Sequence, residues 1–231
     1  MDPVLLSAMA VTAGAHAILL RNAGEWRGKR TLYAALWLLL AALFISPLCA
    51  LSSALFSVRV AHHVVLIAVA APILVLSLPD RWRAWPQSRG MLGLIFTLHV
   101  AVVWLWHAPA PYAAAMANDL VFWAMQLSLI ISAVALWLAV LSPAAPFGYA
   151  LTLLLGSVIQ MGLLGAVITF ARVPLYLPHF GTTDPFGLSA LSDQQLAGLI
   201  MWVPATLPYL GAALLLIGRG IANTPAAGRA S

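Results

Sequence analysis

The chain has 231 residues, 63% of them hydrophobic and 7% charged, with a formal charge of +5. A soluble domain carries roughly 25% charged residues, so these polar groups are too few to face water on all sides, and the outer solvent must be lipid. The basic residues sit in short clusters between apolar runs, which argues against a nucleic-acid face, and one cysteine, Cys49, excludes an intramolecular disulfide.

Seven stretches are long enough, at about 1.5 Å per residue, to cross about 30 Å of hydrocarbon. They lie near 3–20, 31–50, 60–79, 91–108, 119–141, 147–171 and 195–218. Strands of a barrel would need alternating polarity, so the expected fold class is all-α. The expectation is one domain over 1–231, a bundle of about seven transmembrane helices with a core over 3–218. The tail 219–231 is small, polar and expected to be flexible. The opening "MDPVLL" lacks a basic n-region and a cleavage site, so it reads as a retained segment. The first run, with "VTAGAHAILL", is the least apolar.

Charge sets the expected topology. Arg21, Arg27, Lys29 and Arg30 follow the first run, Arg81, Arg83 and Arg89 follow the third, and Arg219 and Arg229 follow the seventh. Seven crossings put all of these on one side and leave Arg59 and Arg172 on the other. The positive-inside rule then predicts an outer N-terminus and a cytoplasmic C-terminus.

That threading places His62 and His63 at the outer end of the third run and His107 at the outer end of the fourth. Cys49, Met116, Met125, His179 and Met201 fall toward the same face, while His16 and His99 lie deeper. Soft sulfur and imidazole groups suit Cu(I), so a copper site at this boundary is chemically reasonable. Against it, a histidine at an interface can reach water or cap a helix at little cost. His62 and His63 point about 100° apart on a helix, so one centre takes at most one of them. For His99 a buried hydrogen bond is favoured over a ligand role. Trp82, Trp85, Trp104, Trp106 and Trp202 fit an aromatic belt. Gly162 and Gly165 in "MGLLGAV" fit close helix contact. Asp193 reads as a helix N-cap. With Gln194 and Gln195 it makes a polar start to the seventh run, which Pro204 and Pro208 should bend. Polar start and kink together suggest a cavity mouth or a docking groove.

"AAPILVL" (70–76), "WHAPAPY" (106–112), "MGLLGAVITFA" (161–171) and above all "DQQLAGLIMWVP" (193–204) occur in order along the chain. Together they resemble the CtaG family of caa3-type cytochrome c oxidase assembly factors over about residues 55–218. The resemblance implies a bacterial inner-membrane protein that helps mature a haem-copper oxidase by assisting copper delivery. His63 and His107 stand at positions matching family histidines. Arg59 replaces the first position of a family H-M-x-x-H start, Met125 and Gln126 replace an acidic residue and a histidine, and Gln160 replaces another histidine.

The expected function is therefore an oxidase assembly factor without catalysis, whose partners are haem-copper oxidase subunits and membrane lipid. Transient Cu(I) would sit near His63 and His107, with His62, Cys49 and Met125 as further candidates. Asp193, Gln194 and Gln195 would shape the mouth or meet the oxidase. The competing readings are a metal-free scaffold packed against oxidase helices, a small transporter, and a haem-binding protein.

Overall fold

The structure, a computed structural model, describes residues 3–84 and 88–222. Trp85, Arg229 and most of the tail lie outside the described residues. Helices and turns make up every described element. α1 (Pro3–Asn22) turns into α2 (Trp26–Phe44) through Gly24 at φ 71°. The Gly24 N–H donates to Arg21 O and the Glu25 N–H to Leu20 O. This paired closure needs a left-handed residue, which glycine supplies without a Cβ clash.

The second run departs from expectation. It stops at Phe44, and Ser46 and Pro47 start a new helix, α3 (Pro47–Ala54), bent by 47°. Proline at the first helical position loses no hydrogen bond, and Ser46 Oγ accepts from the Leu48 N–H at 3.2 Å. Cys49 therefore lies on α3 rather than at the end of α2.

The third span is continuous but irregular: α4 (Phe56–Val65), a π-helical turn (Leu66–Ala70) and α5 (Ala71–Ser77). In the π turn the Ala71 N–H donates to Leu66 O, five residues back. Pro72 comes next and has no N–H, so Ile67 O has no donor in that register. The Trp137 indole donates to it instead at 2.9 Å. Trp137→Phe leaves that buried carbonyl unpaired, and a stability loss of about 1–3 kcal/mol is expected. Chemical unfolding in detergent would measure it.

The remaining α-helices are α6 (Asp80–Arg83), α7 (Arg89–His107), α8 (Pro109–Ala117), α9 (Asp119–Leu141), α10 (Phe147–Thr169), α11 (Ala190–Trp202) and α12 (Thr206–Ala222), with two 3-10 turns, Leu177–His179 and Asp184–Phe186, in the loop before α11. Pro204 breaks the last span between α11 and α12, as expected. Pro208 falls in the first turn of α12, where a missing N–H costs little, so it adds no second break. Residues 219–222, expected in the tail, continue α12. Six of these spans are long and apolar enough to cross a membrane, and the bent α2–α3 pair would make a seventh. The main core joins α4 and α5 to α7–α12, whereas α1 packs on the flank with only 11% of its apolar window buried.

The chain gathers two chemically different ends. At the arginine end, Lys29 Nζ lies 2.7 Å from Asp80 and 2.8 Å from Glu25, and also donates to Leu78 O. The Lys29 ammonium holds the Asp80 carboxyl below its ordinary range. Arg83 reaches Leu141 O, and Arg89 lies over Tyr149. The histidine end is the opposite one.

Candidate functional site

Sequence places Asp193 where it could cap its own helix. The structure corrects this: Ser189 caps α11, and Asp193 lies one turn in, with no solvent exposure. Its carboxylate reaches across to α4, accepting from the N–H groups of Phe56 (2.6 Å) and Ser57 (3.2 Å) and from the Ser57 hydroxyl. Leu55, at the N-cap position of α4, has no side-chain acceptor to offer. A carboxylate 137 residues away does that work, and its charge sits at the positive end of the α4 dipole.

Gln194 is likewise interior. Its carbonyl accepts from the Leu175 N–H at 2.7 Å, and its amide donates to Val173 O and Ile168 O. It ties the 170–189 loop to α10 and α11. Gln195 is only half-buried. The pair Asp193 and Gln194 therefore braces the histidine end from inside instead of lining an open mouth.

His179, on the loop, is buried against this brace. Burial pushes its imidazole below the ordinary range, so it is neutral. Nδ1–H donates to Ala54 O at 3.2 Å and Nε2 accepts from the Tyr112 hydroxyl at 2.7 Å. Tyr176 stacks on Phe56 at 3.7 Å and donates to His107 O. Both nitrogens of His179 are used, so its role is to hold the loop down on α3, α4 and α8.

Directly beneath lies the histidine cluster. The His63 and His107 ring centres are 5.6 Å apart and those of His62 and His63 are 5.9 Å apart. All three residues are buried. His107 Nδ1 donates to Val103 O at 2.7 Å. A carbonyl only accepts, so the proton is fixed on Nδ1 and the lone pair on Nε2 is left without a partner. This is the arrangement in which a histidine is oriented to bind a metal. His63 is more exceptional: neither ring nitrogen has a partner. His62 is half satisfied: the Gln126 amide donates to its Nε2 at 3.2 Å and Phe44 packs edge-on against its ring, while Nδ1 has no partner.

Met125 is fully buried in the core, next to Gln126 on α9. Cys49 is half-buried and lines clefts with Phe44 and Ser46 on one side and Arg59 and Met116 on the other. It does not complete the cluster: among the described residues, no three His, Cys, Asp or Glu side chains converge to hold a metal. His99 bonds Ser132 Oγ at 3.1 Å, the hydrogen bond expected for it, and His16 contacts Ser77 O and the Trp37 indole. Gln160 accepts from the Trp104 indole.

A family model described as cytochrome c oxidase caa3 assembly factor (Caa3_CtaG) matches residues 13–222. The chain belongs to this family. No curated protein and no solved structure matches it. Within this CtaG-family member, Gln126 and Gln160 act as hydrogen-bonding side chains, Gln126 on His62 and Gln160 on Trp104. The residues that sequence reading missed as parts of the site are Arg59, Tyr112 and Tyr176. Arg59 was visible as a charge inside an apolar run. Tyr112 and Tyr176 had no pattern to mark them.

Proposed function

We propose that this protein assists maturation of a caa3-type haem-copper oxidase by handling Cu(I) at a His63–His107 pair, with the histidine end at the outer face of the bacterial inner membrane. The observation that carries this reading is four buried imidazole nitrogens without partners on three adjacent rings, three of them on His63 and His107, whose ring centres are 5.6 Å apart. Leaving a buried polar group unpaired costs about 1–3 kcal/mol, so such a cluster is expensive as packing and reasonable as a site. An ion about 2 Å from a nitrogen of each ring suits that separation, and imidazole is an acceptable Cu(I) ligand. Two neutral donors with no thiolate or carboxylate in a three-residue set would hold copper weakly. That suits cargo that must be passed on.

His62 is held by Gln126 and supports His63 rather than binding. Met125 is a soft donor within the same core, and Cys49 is placed to receive or pass the ion nearer the surface. The positive-inside rule supports the orientation, since the arginine end carries most of the basic residues.

The test is a titration of purified, reduced protein with Cu(I) against a competing chelator. Wild type should bind about one ion, and His63→Ala and His107→Ala should each weaken binding at least tenfold while keeping wild-type helicity. Equal binding by all three proteins would overturn the copper reading. Absence of copper from wild type, with oxidase subunits still co-purifying, would favour a metal-free scaffold.

A further inference from the structure

Arg59 is a guanidinium in an apolar span, with 2% of its surface exposed. Nε donates to Ser52 O at 3.1 Å, and Cζ lies 5.1 Å from the Phe122 ring centre. Nη1 has no partner. No carboxylate neutralises it: among the described residues the ion pairs belong to Lys29 and Arg83. Taking an uncompensated charge out of water is costly, and a buried cation normally has an anion against it.

There is room for one. Arg59 lines a cavity of about 320 Å³ at the histidine end, together with Cys49, Ser53, Met116, Asp119 and Phe122. The wall therefore offers the edge of a cationic side chain that no carboxylate meets, and a hydroxyl, flanked by a thioether and an aromatic ring; Nη1 itself lies sealed behind that wall. Asp119 is exposed at the rim, beyond ion-pair distance of Arg59.

From the Arg59 charge that no carboxylate meets and the cavity that Arg59 lines, we infer a binding site for a phosphate-bearing ligand, between α3, α4 and the α8–α9 corner. The phosphate would set its negative charge against the Arg59 guanidinium, with the Ser53 hydroxyl able to donate to a phosphate oxygen. A hydrocarbon or glycerol portion would lie against Met116 and Phe122. Two sources carry such a phosphate, an anionic phospholipid headgroup and the free phosphate ion, and the chemistry at Arg59 is the same for both. The inference shares the wall residue Cys49 with the copper reading, but its binding groups, Arg59 and Ser53, lie outside the His63–His107 pair and are tested without copper.

Delipidated full-length protein provides the test, with two probes. Inorganic phosphate is titrated by calorimetry, and phosphatidylglycerol retention is scored by native mass spectrometry. Binding of phosphate alone supports a free-ion site, and binding of phosphatidylglycerol alone supports a lipid site. In either case Arg59→Gln should weaken binding roughly 10- to 100-fold, the worth of one close charge-assisted contact. Met116→Trp, which fills the cavity and leaves Arg59 in place, should do the same and decides the matter if the arginine variant misfolds. Asp119→Asn should strengthen binding by removing a like charge from the rim. Failure of wild type to bind either probe, or wild-type binding by Met116→Trp, overturns the site.

Discussion

Asp193→Ala should be the most damaging single substitution at the histidine end, lowering stability by at least about 3 kcal/mol. Its carboxylate accepts from three donors, the N–H groups of Phe56 and Ser57 and the Ser57 hydroxyl, all buried. Each donor left unpaired costs about 1–3 kcal/mol. Asp193→Asn keeps one acceptor oxygen and should lose less. The cause can be separated from general disruption by rescue. Leu55 sits in the extended geometry of an N-cap, φ −120° and ψ 126°. In the Asp193→Ala background, Leu55→Asp supplies a local cap and should restore about 1 kcal/mol. Thermal unfolding in detergent reads both effects. Wild-type stability of Asp193→Ala would show that α4 does not depend on this carboxylate.

Gly198→Ala should destabilise comparably by a different route. An added Cβ would lie 2.2 Å from Thr169 Oγ1, 2.6 Å from Gly165 O and 2.7 Å from Thr169 N. Two of those three atoms are backbone, so no side-chain rotation relieves the clash and α10 and α11 must separate. Overpacking costs about 1–3 kcal/mol and occasionally more, and backbone obstruction places this case at or above the upper end. Gly165→Ala meets the same interface from the other side, at 2.8 Å from Gly198 O and 2.9 Å from Trp202 N. Once either substitution has forced the helices apart, the second should add much less than its own single effect. Gly162→Ala provides the contrast. Its Cβ would make only ordinary contact, 3.7 Å from Trp202 Cδ1, and should be nearly neutral. Additive losses at positions 165 and 198 would mean that the two glycines do not share one contact. Denaturant titration of the three single variants and the double variant gives the comparison.

These two cases show how far sequence reading reaches. "MGLLGAV" signalled a close helix approach through small residues, and Gly165 makes that approach. The partner glycine, Gly198, lay unremarked inside "DQQLAGLIMWVP", because spacing along one chain does not say which face meets which. Asp193 looked like a cap because a carboxylate near a helix start suits the dipole. That physics holds, but the dipole belongs to another helix. The break at Pro204 was legible, since proline acts locally. The π turn was not, since it depends on a Trp137 indole arriving from α9.

Composition required a lipid-facing chain, because 7% charged residues cannot clothe a surface in water, and long apolar runs without alternating polarity made it helical. Hydropathy placed the spans, and the basic clusters told the two ends apart. The pairing of His63 with His107, the capture of His62 by Gln126 and the isolation of Arg59 beside a cavity were decided by tertiary structure. Hydrophobicity fixes which segments enter the bilayer. Which side chains meet inside it depends on helix rotation and on close packing between segments far apart in sequence.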